Sequence, residues 1–459
     1  MIRHSKRLWL AATAIAGVAG AGHFAWAQDA LATSPPAQVN GPMDPRDAEM
    51  TELRVQLQQL AVEVAALRQE SGAGIKKLEA AQATMPKVTW KGAPEFSGPG
   101  GSSFKVRGRV LVDGVFQNWE PEGTVADLDT REFRGRQIFL GVEGKLSDRL
   151  AYKVEGGWAN GSNPTWDDAY LEYKPSKNSS ILFGNAKAAG LENITSTRFV
   201  TFLERGPYAN VAGLDYNLGV VARTWGKNWT LTGAIQGDSL NTADVLGEET
   251  LSEVVRATFA PVLNDATTVH LGAWARHRDH GTGPALGYTP RPNTAFIPGG
   301  IYSLKGTGSI GDSDNTLGLE GLLLHRQFSL QSEYVHLSYE GLDPAPDGDI
   351  DAGYLFGSWF IGGRRTYSVA PGEIARPKIA RGITDGGWGA LELAVRYDFA
   401  DISGSPTAGD YDGWTLGANY YPSGYVRFML NYTDGQQQNP LALDDIDVRS
   451  LQLRAQLDF

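Results

Sequence analysis

The stretch from Ala188 to Gly213 concentrates side chains suited to holding an anion. Thr195, Ser196 and Thr197 place three hydroxyls in succession, and each can donate a hydrogen bond to an oxyanion. Arg205 after them and Lys187 before them supply positive charge, the guanidinium as a planar fork that meets two oxygens at once. Glu204 stands beside Arg205, so the pair reads alternatively as a strut fastening the loop to a wall. No constellation for covalent chemistry competes. The chain has no cysteine, which removes thiolate nucleophiles, thiolate metal sites and disulfides together. Gly306-Thr307-Gly308-Ser309-Ile310-Gly311 has the spelling of a dinucleotide loop without the strand and helix that would give it meaning. His277 and His280 lack the partners of a zinc site. Asp167 and Asp168 are adjacent on an alternating segment and should point to opposite faces. No metal, cofactor or Ser/His/Asp arrangement is legible, and an enzyme is not expected.

The elements that must carry these residues follow from composition and periodicity. Among 459 residues, 42% are hydrophobic, 56 are Gly, 17 Tyr and 12 Trp. Mean hydropathy is −0.27 and a single N-terminal run is apolar enough to resemble a membrane helix, which excludes a polytopic helical protein. A balance of 41 basic and 52 acidic residues, net −11, argues against a nucleic-acid binder. An all-β chain remains.

At the N-terminus, Arg3, Lys6 and Arg7 precede an apolar core from Leu8 to Gly22, followed by Ala25-Trp26-Ala27. This is the pattern of an export signal over residues 1–27, whose removal leaves a mature charge of −14. A Pro-rich stretch follows. Met50, Leu57 and Val64 then fall at one heptad position and Leu53, Leu60 and Leu67 at the other, the seam of a short coiled coil. Gly72 and Gly74 are expected to break it, and residues 84–103 to be a linker. So short a coil implies an oligomer whose main contacts lie elsewhere, and residues 46–83 could also touch the cell wall or a periplasmic partner.

From Phe104 onward the period is two. Leu451, Leu453, Ala455, Leu457 and Phe459 alternate with Ser450, Gln452, Arg454, Gln456 and Asp458. Sixteen such segments are predicted: 104–118, 131–146, 150–159, 166–174, 179–187, 214–224, 228–236, 252–260, 267–277, 314–325, 327–340, 351–361, 387–399, 412–421, 424–433 and 447–459. Connections after even-numbered segments are mostly tiny, and those after odd-numbered ones run longer, which is how a membrane barrel sorts its loops and a sandwich does not. Trp119, Trp158, Tyr173, Trp359, Tyr367, Trp388 and Tyr421 suit aromatic girdles at the two membrane interfaces. Residues 362–386 break the loop rule. They are long, follow an even segment, and carry Arg364, Arg365, Arg376, Lys378 and Arg381. This basic turn is expected to fold into the lumen from the periplasmic rim, the alternative being a flexible turn lying on the periplasmic side. Alternation points Arg107, Arg109 and Arg396 into the same lumen, as basic residues of an anion path or, since Asp113, Glu143, Glu155 and Glu392 share those faces, as braces of the wall through salt bridges.

The sequence resembles the phosphate-selective porin O and P family. The resemblance is carried by Trp90-Lys91-Gly92-Ala93-Pro94-Glu95-Phe96, Val106-Arg107-Gly108-Arg109, Arg134-Gly135-Arg136, Asp168-Ala169-Tyr170-Leu171-Glu172-Tyr173, the loop from Gly190 to Arg205, Trp388 through Tyr397, and Leu453 through Phe459. It implies a homotrimer of sixteen-stranded antiparallel transmembrane β-barrels in the outer membrane, with inward-folded loops. It also implies passive uptake of small anions, phosphate or polyphosphate, along a path including Arg134, Arg136, Asp168, Ser196, Thr197 and Arg205. A general or cation-tolerant porin is the alternative. Selective family members place a lysine shortly before the hydroxyl triplet, where this chain has Asn193. Arg134 and Arg136 share parity with lipid-facing Ile138 and Leu140, so they require an aqueous rim or a β-bulge. The expected organisation is a signal over 1–27, a periplasmic Pro-rich and coiled-coil segment over 28–89, and a barrel over 90–459.

Overall fold

The computed structural model describes residues 44–121, 127–159, 164–242, 249–288, 290–294, 296, 309–402, 410–438 and 445–459. The expected export signal, the Pro-rich stretch up to residue 43, and Gly306 to Gly308 lie outside the described residues. Two compact units are formed, Met1–Gln82 and Ala83–Phe459.

The described residues of the first lie almost wholly in one helix, α1 (Pro45–Thr84), which continues two residues beyond the unit. Asp44 caps it through its Oδ1, which accepts the Arg46 N–H at 3.0 Å, with Pro45 at the first helical position. The expected break at Gly72 and Gly74 does not occur, because the helix runs through both. A helical glycine costs about 1 kcal/mol relative to alanine. Good helix formers on both sides, among them Leu67, Arg68, Gln69, Lys76, Lys77 and Leu78, hold the segment helical despite that cost.

In the second unit the expected linker contains structure. Lys87–Trp90 and Pro94–Ser97 form a hairpin that turns at Gly92, where φ is +81°. Its second strand pairs Glu95, Phe96 and Ser97 with Lys105, Phe104 and Ser103. The last strand of the chain reaches this neighbour only from Arg109 upward, so the hairpin covers an edge that would otherwise be unpaired.

Sixteen strands make the wall: β1 (Ser103–Pro121), β2 (Leu128–Ser147), β3 (Leu150–Ala159), β4 (Pro164–Ser176), β5 (Ser179–Ala186), β6 (Asn217–Trp225), β7 (Trp229–Gln236), β8 (Leu251–Leu263), β9 (Thr267–Asp279), β10 (Ser309–His325), β11 (Phe328–Gly341), β12 (Gly348–Ile361), β13 (Ala390–Asp401), β14 (Tyr411–Ser423), β15 (Val426–Gln437) and β16 (Ile446–Asp458). Each pairs antiparallel with the next, and β16 pairs back onto β1 from Ile446↔Pro121 to Asp458↔Arg109. Closure satisfies every strand edge, the condition for crossing a bilayer with strands.

The alternation fixes which face is which. Leu451, Leu453 and Leu457 are exposed on the outside of β16, while Gln452, Arg454, Gln456 and Asp458 are buried inside. Apolar side chains outward and polar ones inward is the reverse of a soluble sandwich. The aromatic girdle is smaller than expected. Trp158, Tyr173, Trp359 and Trp388 face outward, but Trp119 and Tyr421 are buried and Tyr367 packs on His270 inside the lumen.

At two places a bulge shifts the parity of predicted site residues. Leu111 pairs with Gln137 and Val112 with Gly135, leaving Arg136 as the extra residue of β2. Below the bulge Ile138 and Leu140 face outward, while above it Phe133 does and Arg134 and Arg136 turn inward. A second shift, between Val154↔Ala169 and Gly156↔Trp166, sets Glu155 against both Asp167 and Asp168. The adjacent carboxylates therefore both face the lumen, where Asp167 pairs with Arg109 and Asp168 with Lys153. Opposite faces would have held only on an unbroken strand.

Candidate functional site

Among the described residues, three segments fold into the lumen. The first is the loop after β5, with short helices α2 (Leu191–Ile194) and α3 (Pro207–Val211). Glu333 on β11 accepts the N–H groups of Leu191 and Glu192 at 2.6 and 2.7 Å, and the hydroxyls of Tyr208 and Tyr354 at 2.9 and 2.5 Å. One wall carboxylate thus satisfies the start of α2 and clamps α3. The second is the basic turn, a hairpin of Gly363–Ser368 and Glu373–Ile379. Arg365 forks onto Glu392 at 2.9 and 2.6 Å and also reaches the Phe199 carbonyl; Arg376 pairs with Asp458. Arg256 donates to the carbonyls of Pro371 and Gly372 at 3.0 and 2.8 Å, and the Ile374 N–H donates to Thr195 Oγ1 at 3.3 Å. Among the described residues, Arg364 and Arg381 bond only backbone carbonyls, of Asp265 and Asp385, and Lys378 is exposed. The third is the described part of the loop after β9. Asn293 donates to Asp398 at 2.6 Å and accepts from Arg396 at 2.7 Å, Thr294 donates to Gln117 at 3.2 Å, and Phe296 lies 3.8 Å beneath the Arg134 guanidinium.

Between the first and third segments lies a cavity of about 260 Å³. Lys187, Arg205, Arg291 and Arg136 bring cations to it, and Asp167, Glu204 and Asp215 bring carboxylates. The carboxylates are mostly engaged. Asp167 is taken by Arg109, and Glu204 receives Arg136 through two bonds of 3.1 and 3.0 Å and Arg454 through one of 3.1 Å. Burial pushes the Glu204 carboxyl up, but the two guanidinium groups prevail and hold it down to about 2. Asp215 accepts the Tyr216 N–H at 2.8 Å. Three cations, in contrast, form no ion pair among the described residues. Arg205 donates to the carbonyls of Glu192 and Thr195 at 3.1 and 2.8 Å. Lys187 donates to the Asn193 carbonyl at 3.2 Å, with its ammonium 4.3 Å from the Tyr216 ring. Arg291 is exposed to the cavity. Burial, then the nearby Arg205, lowers the Lys187 ammonium to about 7.

The predicted residues separate. Lys187, Thr197, Arg205 and Arg136 come together at the cavity. Thr195 does not offer its hydroxyl there, because it donates to Leu191 O at 2.8 Å and accepts from the hairpin. Ser196 Oγ accepts the Arg198 N–H at 3.4 Å. Arg109 and Arg396 are 2% and 0% exposed and do not line an open path. Arg109 is locked to Glu155, Asp167 and Gln137; Arg396 to Asp398, Asn293, Glu192 and the Glu204 carbonyl. Arg107 is likewise engaged, with Glu143 and Glu155, and Asp168 with Lys153. Arg291, Asn293 and Thr294 were not singled out in the sequence, although the family resemblance implies that their segment, 278–313, folds inward. Nothing in their spacing marks them; only the inward fold of a long loop brings them to the site.

The model of the family described as phosphate-selective porin O and P matches residues 104–459. An uncharacterized protein of Caulobacter vibrioides is 28% identical over 389 residues, spanning 81% of this chain and 77% of its own. Among solved structures, an anion-selective porin from Comamonas acidovorans aligns at 13% identity over 78% of this chain and 100% of its own, with a TM-score of 0.49. The outer-membrane-expressed OmpT of Vibrio cholerae aligns at 10% identity over 78% of this chain and 98% of its own, also with a TM-score of 0.49.

Proposed function

Since this chain belongs to the phosphate-selective porin O and P family and is an outer-membrane porin, we propose that its lumen carries small anions, with inorganic phosphate as the preferred solute. One observation carries the reading: at the cavity, Lys187, Arg205 and Arg291 are cations without a carboxylate partner among the described residues, while Asp167 and Glu204 are neutralised by arginines. An entering anion meets positive charge that the wall has not already consumed. The lysine that selective members carry before the hydroxyl triplet is Asn193 here, and Lys187 sets its ammonium on the carbonyl of that same residue. A lysine from the strand end thereby stands in for a lysine of the loop. Thr197, half-buried at the cavity, adds a hydroxyl that can donate to a phosphate oxygen.

The same reading includes an export signal over residues 1–27, a homotrimer, and a periplasmic segment over 28–89. Reversal potential across a planar bilayer in a KCl gradient tests the anion assignment. The sign for chloride is expected, with chloride current blocked by added phosphate. A potassium sign would replace the proposal with a cation-tolerant porin. The correct sign without phosphate block would leave an anion channel with no preference for phosphate.

A further inference from the structure

The barrel and its lumen leave α1 unused. Along the helix, Met50, Leu53, Leu57, Leu60, Val64 and Leu67 form one stripe, and each is between 41% and 67% exposed. So much apolar surface on one face of a helix calls for a partner. The charges beside the stripe say which. Taking Met50, Leu57 and Val64 as heptad positions a and Leu53, Leu60 and Leu67 as d, Glu49 and Glu63 fall at g, and Arg54 and Arg68 at e. In a parallel, in-register coiled coil, each g residue faces the e residue five places further along the other helix. Glu49 then meets Arg54, and Glu63 meets Arg68, in both directions across the seam. An antiparallel pair would instead oppose g with g and e with e, setting acid against acid and base against base. Ser71 and Gly74 occupy the next a and d positions, so the apolar seam ends at Leu67 although the helix continues.

We propose that α1 docks on α1 of a second copy of this chain, parallel and in register, through the seam from Met50 to Leu67. The geometry agrees with the membrane. Barrels inserted in one orientation each tether α1 by its C-terminal end, and shared anchoring raises the local concentration of so short a seam. The inference is independent of which ions the lumen passes. A weaker stripe of Val55 and Val62 lies away from the seam and is not required by it.

The lack of native cysteine makes the test direct. In the full-length protein in outer-membrane vesicles, Leu60→Cys should oxidise to a disulfide-linked pair of chains, whereas Gln69→Cys, on the outer side of the helix, should stay single. In the Leu60→Cys background, Glu63→Lys or Arg68→Glu alone should lower cross-linking roughly two- to five-fold, the scale of exposed interhelical ion pairs. The double exchange Glu63→Lys with Arg68→Glu should restore it, because the swapped charges again face each other between copies. Three results would overturn the proposal: no cross-link at Leu60→Cys; equal cross-linking at Gln69→Cys; or disulfides between Met50→Cys and Leu67→Cys chains exceeding those at Leu60→Cys, which marks an antiparallel pair. Reversal potentials recorded on the same variants should not move, so failure here leaves the anion reading standing.

Discussion

Arginines on the barrel wall and cations on the inward loops share one lumen and do different things. Arg109, Arg396 and Arg454 project from strands into a space filled by folded loops, and each is enclosed by carboxylates and carbonyls. A guanidinium buried this way needs its full set of partners, because desolvation outweighs attraction once any is missing. Lys187, Arg205 and Arg291 come from strand ends and loops, and their nearest described partners are carbonyls, a ring or the open cavity. Charge counted along strands therefore measures how the wall is braced. Charge available to a solute depends on what is left after bracing.

Removing a wall arginine should have the largest effect, and on stability. Arg396→Met strands Asp398 and part of Glu192, and should cost about 3–5 kcal/mol, as breaking a buried ion pair does. The check is the temperature at which detergent-solubilised protein loses its folded mobility on a gel. Reversal potential in any surviving channel should keep its sign. Removing a loop cation should do the opposite. Arg291→Ala should leave melting nearly unchanged and lower the chloride-to-potassium permeability ratio about five-fold, the effect of one charge worth about 1 kcal/mol at contact in water. Equal responses from Arg396 and Arg291 would dissolve the distinction between the two classes.

Acidity sharpens the contrast. The Lys187 ammonium is lowered to about 7, so it is charged below that pH and neutral above it. On the luminal hairpin, burial raises the Glu373 carboxyl to about 7, so it gains negative charge over the same interval. Both changes remove positive potential as pH rises. Anion preference should accordingly fall between pH 6 and pH 8, and planar-bilayer selectivity read across that range tests it. Lys187→Arg, which stays charged, and Glu373→Gln, which stays neutral, should each flatten part of the slope. The smallest effect is expected at Thr197→Ala. It removes a single hydroxyl from the cavity and should weaken phosphate block of chloride current several-fold at most, by about 0.5–1.5 kcal/mol, the net contribution of one hydrogen bond.

Much of the fold was legible because a strand alternates with a period of two and a bilayer fixes which face is apolar. The segments drawn from that period each correspond to an observed strand, and length and charge alone mark residues 362–386 as different. The need for either an aqueous rim or a bulge at Arg134 and Arg136 was also visible, since their parity placed two guanidinium groups in lipid. The bulge at Asp167 and Asp168 was not visible, because two adjacent acids look the same on a straight strand and a bulged one. The hairpin at Lys87–Ser97 was hidden by its Pro and Gly residues, which mark turns but do not say what a turn pairs with.

By itself, then, the sequence determined the membrane-facing half of this protein. Its apolar periodicity, loop lengths and heptads each follow from local spacing, which any stretch of chain carries within itself. The tertiary structure alone decided the lumen. Which arginines are consumed, which cations lack an ion pair among the described residues, and that Lys187 comes to rest on Asn193 all depend on how the inward segments meet inside a closed wall, and no local pattern encodes such a meeting.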